Sequence, residues 1–76
     1  MKFWVNVDKP TKKCIIHREG CRYEQAKTET PLKGIGELKD DGGWVSFPSR
    51  GEVENYCKRE WEHKGYVVRM CGYCFV

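Results

Sequence analysis

Two pairs of metal-binding residue types near opposite ends of the chain, His17-x3-Cys21 and Cys71-x2-Cys74, constrain the fold more than any other feature. Each pair is close enough for a single turn to present it, and zinc favours four tetrahedral nitrogen and sulfur ligands at roughly 2.0–2.3 Å. If both pairs serve one ion, the region around His17 must meet the C-terminal segment in space. A chain of 76 residues gains from such a contact. Domains of roughly 60–80 residues bury only about 60% of their unfolded surface and are marginal without a staple. Gly72, between the last two cysteines, leaves room for backbone amides to point at the sulfurs and support thiolates. The expected cofactor is therefore one structural Zn2+ on His17, Cys21, Cys71 and Cys74.

Other uses of these residues compete with that reading. Cys71 and Cys74 could form a disulfide, but a redox Cys-x2-Cys normally opens a helix, whereas this one follows a strand-like segment close to the chain end. Cys57 falls on an apolar helical stripe, which suits a buried free thiol better than a ligand. Cys14-x2-His17 also has ligand spacing, so a set with Cys14 in place of His17 stays open, as does pairing of Cys14 with Cys57. Strand alternation argues against Cys14 and His17 reaching the same ion, since they would point to opposite faces. His63, near a helix end, reads as an exposed, dipole-compatible residue.

The chain begins Met1-Lys2-Phe3-Trp4-Val5 and runs straight into charged and turn residues, with no long apolar stretch, so neither a signal peptide nor a membrane span is expected. That favours a cytoplasmic setting in which five cysteines, an odd number, bind metal more readily than they pair. Hydrophobic residues at 39% and ten aromatics exclude a disordered chain. The net charge of +3 is unevenly spread: residues 1–34 hold eight Lys or Arg against four acids, and residues 35–76 six against seven. A basic N-terminal half fits an anionic partner, although an excess of this size also occurs on proteins that bind nothing acidic.

Phe3, Val5 and Val7 alternate with Trp4 and Asn6, predicting a strand with one buried face, and Lys12 to Ile16 reads as a second strand joined to it through an Asp8–Thr11 turn. Gly20 supplies the positive φ that the His17–Cys21 connection needs. Residues 24–43 lack periodicity and are expected to form an irregular loop. A strand at Gly43–Pro48 follows. Ser49 with Glu52 forms a capping box for a helix whose stripe is Val53, Tyr56, Cys57 and Trp61, with Glu54–Lys58 and Glu60–Lys64 pairs on its outer face and a stop at Gly65. Tyr66–Met70 is the last strand. The reading is one α+β domain over residues 1–76, in the order β-β-loop-β-α-β, with a mainly antiparallel sheet, one packed helix and a zinc staple.

Ile16-His17-Arg18-Glu19-Gly20-Cys21-Arg22-Tyr23, a later Ser-x2-Glu helix and a terminal Cys-x2-Cys together resemble the Ada-type zinc-binding modules. The resemblance covers roughly residues 12–74 and carries His17, Cys21, Cys71 and Cys74 over as ligands. The chain departs from that pattern in its longer 24–43 segment and in lacking a proline and basic residues just before the final pair. The family includes a repair protein that accepts a methyl group on a zinc-bound cysteine. Three thiolates and a neutral His give a centre of net charge −1, less electron-rich than four thiolates, which favours a closed structural site over alkyl transfer. Three functions follow as expectations: a non-catalytic module binding DNA or RNA through Arg18, Arg22, Arg69, Tyr23 and Tyr73, with Trp4 as a further aromatic; a protein-interaction module; and, least favoured, a zinc-thiolate alkyl acceptor.

Overall fold

A computed structural model describes residues 2–75. Strand β1 (Phe3–Asp8) and β2 (Lys13–Arg18) form the expected antiparallel hairpin, with Trp4 opposite His17 and Val7 opposite Cys14. Thr11 Oγ1 donates to Asp8 Oδ2 at 2.8 Å and Lys12 N–H to Lys9 O at 3.2 Å, closing the turn. β2 extends two residues beyond the predicted strand and takes in His17 and Arg18.

The segment expected to be an irregular loop is partly ordered. A four-residue helix α1 (Arg22–Gln25) opens it, and two short strands follow, β3 (Gly34–Ile35) and β4 (Leu38–Lys39). Both lie against β5 (Gly42–Phe47), β3 in parallel and β4 antiparallel. Strands of two residues carry no periodicity, so no pattern announces them.

The Ser49 N-cap forms as expected at helix α2 (Arg50–Glu60), with Ser49 Oγ accepting from Glu52 N–H at 3.3 Å, while the Glu52 carboxylate takes the Ser49 hydroxyl at 3.1 Å instead of the Ser49 backbone N–H of a full capping box. Ser49→Ala should lower stability by about 1 kcal/mol, read as a lower midpoint in urea with an unchanged slope. Of the predicted stripe, Val53 and Cys57 are at 0% exposure and Trp61 at 8%, and Tyr56 is half-buried against them. The charged pairs on the outer face differ from expectation. Arg50 bridges Glu54 at 3.0 Å and Arg59 bridges Glu60 at 3.0 Å, and neither Lys58 nor Lys64 forms an ion pair among the described residues. Such exposed pairs contribute little, and rotamer freedom decides among them. A 3-10 turn (Glu62–Lys64) and Gly65, at φ 88°, end the helix and lead into β6 (Val67–Met70).

The sheet runs β3-β5-β1-β2-β6, with β4 also on β5. It is mixed, correcting the expectation of a mainly antiparallel sheet: β6 pairs with β2 in parallel. β2 and β5 are both antiparallel to β1, hence parallel to each other, so β5-α2-β6 is a parallel crossover over the intervening pair. A helix between two strands is the connection that parallel pairing requires. α2 covers one face, where Val5, Val7, Cys14, Ile16, Val53, Cys57 and Trp61 form the core. Among the described residues no helix is long and apolar enough to cross a membrane.

Candidate metal centre

Because β2 and β6 run the same way, their C-terminal ends lie side by side, and Cys71 N–H donates to Ile16 O at 2.9 Å. His17, in the last turn-ward part of β2, and Cys71, just beyond β6, therefore meet. Cys21 arrives through the 18–21 turn, where Gly20 has φ 87° and Cys21 N–H donates to Arg18 O at 3.0 Å. Cys74 arrives through the last turn, which Phe75 N–H closes onto Cys71 O at 3.1 Å.

The ligand atoms of His17, Cys21, Cys71 and Cys74 lie within 4.8 Å of one another, and the group can hold one metal ion. Cys21 Sγ is 3.6 Å from His17 Nδ1 and 4.0 Å from Cys71 Sγ. Tetrahedral zinc with bonds of roughly 2.0–2.3 Å would space N and S by about 3.6 Å and two sulfurs by about 3.8 Å, so these separations fit. His17, Cys21 and Cys71 are buried and Cys74 half-buried. The His17 ring packs on Trp44, with centroids 5.0 Å apart.

Electrostatics prepare the site unevenly. Burial holds His17 below the ordinary histidine value, against the opposing pull of Glu24, so the ring is neutral and able to ligate. Burial opposes ionisation of Cys71, but the amides of Cys74 and Tyr73 and the neighbouring thiols outweigh it and lower its value. Cys74 is pushed up to about 11, chiefly by burial and by the adjacent cysteines, although Arg18 N–H donates to its sulfur at 3.3 Å. A cation entering the cage must displace that proton, which ties binding to pH.

Cys14 does not compete. It points into the core opposite α2, fully buried, while His17 points the other way, and the hydrogen bond with Cys57 together with burial pushes its thiol up. Glu24, which the sequence reading passed over, orders the ligand turn: its Oε1 accepts Gly20 N–H at 2.8 Å and Lys27 neutralises its other oxygen. The available signal was its place three residues after Cys21, the position of the acid in a capping box.

Of the proposed contact residues, Arg18, Arg22, Tyr23 and Tyr73 gather around the cage. Tyr23 and Tyr73 are 52% and 55% exposed and meet edge to face at 5.7 Å. The Arg22 guanidinium lies 6.0 Å from the Tyr23 ring, and Arg18 and Arg50 lie 4.8 Å and 5.3 Å from Phe75. Arg69 stands apart, exposed on β6 in register with Ile15. Trp4 is half-buried beneath Lys27, 4.2 Å from its ring, and is not a free stacking surface. No protein-family model matches the chain, and no match is found among curated proteins or solved structures.

Proposed function

We propose that the cage holds one structural Zn2+, and that the arginine and tyrosine surface built around it binds nucleic acid without catalysing a reaction. The observation that carries the second part is the pair of exposed, mutually packed tyrosines, with Arg22 beside Tyr23 and with Arg18 and Arg50 over the Phe75 ring two residues beyond Tyr73. Guanidinium groups hold phosphates and aromatic faces stack bases, a combination suited to single strands. The ligand order and spacing support kinship with the Ada-type modules. Four protein ligands with net charge −1 on the loaded centre suit a closed site better than a nucleophilic one.

Anisotropy titration of labelled single-stranded DNA and RNA 12-mers at low salt tests the reading. Arg18→Ala with Arg22→Ala should weaken binding to every sequence and flatten the salt dependence by about two units of log–log slope. Tyr23→Ala with Tyr73→Ala should cost about 1–3 kcal/mol per lost stack. Absence of binding to any single- or double-stranded oligonucleotide at low salt would overturn it.

A further inference from the structure

The sheet ends at β6, and the hydrogen-bond phase shows what that edge offers. Val67 N–H donates to Lys12 O and Cys71 N–H to Ile16 O, so residues 67, 69 and 71 face β2. In a parallel ladder a residue's N–H and C=O point the same way and alternate along the strand. The N–H and C=O of Val68 and Met70 therefore face outward, and no partner takes them among the described residues. Alongside them lies a groove of about 270 Å³, lined by Ile16, Val68, Arg69 and Met70 of the strands and by Glu54, Lys58 and Glu62 of the helical side. Val67 is 52% exposed on the opposite face.

Charge selects the occupant. Arg69 is exposed and alternates with the inward Val68 and Met70; it borders the groove but has no carboxylate within ion-pair distance among the described residues. Lys13 flanks it, in register with Val67, and the nearby Asp8 is engaged by Thr11. A second copy pairing antiparallel through Val68 and Met70 would set Arg69 directly opposite its own counterpart, and like charges in that position are destabilising. A strand bearing a carboxylate there would be attracted instead.

We propose that the β6 edge accepts an extended peptide of another protein, adding as a further strand with apolar side chains over Val68 and Met70 and acidic side chains beside Arg69. Backbone pairing supplies the affinity and the alternation supplies the selectivity, as in other strand-addition sites. The surface is separate from the arginine and tyrosine surface at the metal end and does not depend on it.

The probe is a labelled heptapeptide of alternating Val and Glu, with a control carrying Lys for Glu, titrated against the purified chain. The Glu peptide should bind about tenfold more tightly than the Lys peptide, with amide shifts concentrated at residues 67–70. Arg69→Glu, an exposed change, should reverse that order. Val68→Pro replaces an outward N–H and obstructs strand addition while keeping the bonds to β2, so both peptides should lose binding with the circular dichroism and metal content retained. Arg18→Ala with Arg22→Ala should leave peptide binding unchanged. Equal binding of the two peptides, shifts mapping elsewhere, loss of binding in the metal-end variant, or self-association that Val68→Pro abolishes would each overturn the proposal.

Discussion

Chelating the zinc proposed for the His17, Cys21, Cys71 and Cys74 cage is expected to unfold the domain rather than loosen one end of it. Structural zinc contributes about 10–16 kcal/mol in small zinc-folded peptides, whereas whole domains are stable by about 5–15 kcal/mol. The cage joins the end of the hairpin to the chain beyond β6, and the core it closes has only seven buried residues in its central cluster. Far-ultraviolet circular dichroism should collapse on chelation and return when zinc is restored. Native mass spectrometry should find one zinc per chain, lost in His17→Ala and Cys71→Ser and kept in Cys14→Ser. Metal-free protein that stays folded would refute the staple. Acid should act in the same direction. Burial already holds His17 below 6.5, which favours the neutral, ligating ring, and as pH falls protons displace the ion from His17 and the three thiolates, so stability is lost toward acid. Glu24, also lowered, from 4.5, extends the loss further into acid.

The candidate ligands were legible because they lie in two short spacings, and local geometry is what sequence encodes most directly. His17 and Cys21 need one turn with a positive-φ glycine, and Cys71 and Cys74 need another. The α2 helix was legible for the same reason, through Ser49, Glu52 and the Val53–Trp61 stripe. The parallel pairing of β6 was missed, although bringing the two candidate ligand pairs together demands it. An antiparallel β6 on β2 would carry Cys71 and Cys74 to the Lys12 end of the hairpin, far from His17. Long-range direction had to be inferred from the ligand set, not from any window of residues. The ordering of Glu24 beneath the Gly20 amide was hidden because it depends on the turn's closure, which no periodicity reports. Arg69 was grouped with Arg18 and Arg22 as a nucleic-acid contact, but strand alternation and the β2 register place it elsewhere.

Gly42→Ala should destabilise the domain by about 3 kcal/mol or more, the largest effect expected of any single added methyl group. Gly42 falls in the segment expected to be an irregular loop and Gly43 opens the expected strand; both lie in β5, at φ 105° and 154°. A Cβ on Gly42 would sit 1.9 Å from Val7 O and 2.8 Å from Val7 C, in the backbone of the strand to which β5 is paired. Neither atom can yield as a flexible side chain would, so β1 and β5 must separate or the φ must change, and either breaks the ladder where β5 begins. At Gly43 the obstruction comes from the other side: Glu37 O and Gly34 O would each be 2.6 Å away. β5 is thus contacted by β1, β3 and β4 at one place, which only residues without side chains allow, and this is why an aperiodic, glycine-rich segment folds as part of the sheet. Gly51→Ala is the matched control. It adds the same methyl in α2, where nothing lies within 4 Å, and should raise stability by about 0.5–1 kcal/mol. Urea unfolding of both variants separates the cases. If Gly42→Ala unfolds at the same midpoint as the parent chain, the close approach of Val7 to β5 is wrong, and with it the anchoring of β3 and β4.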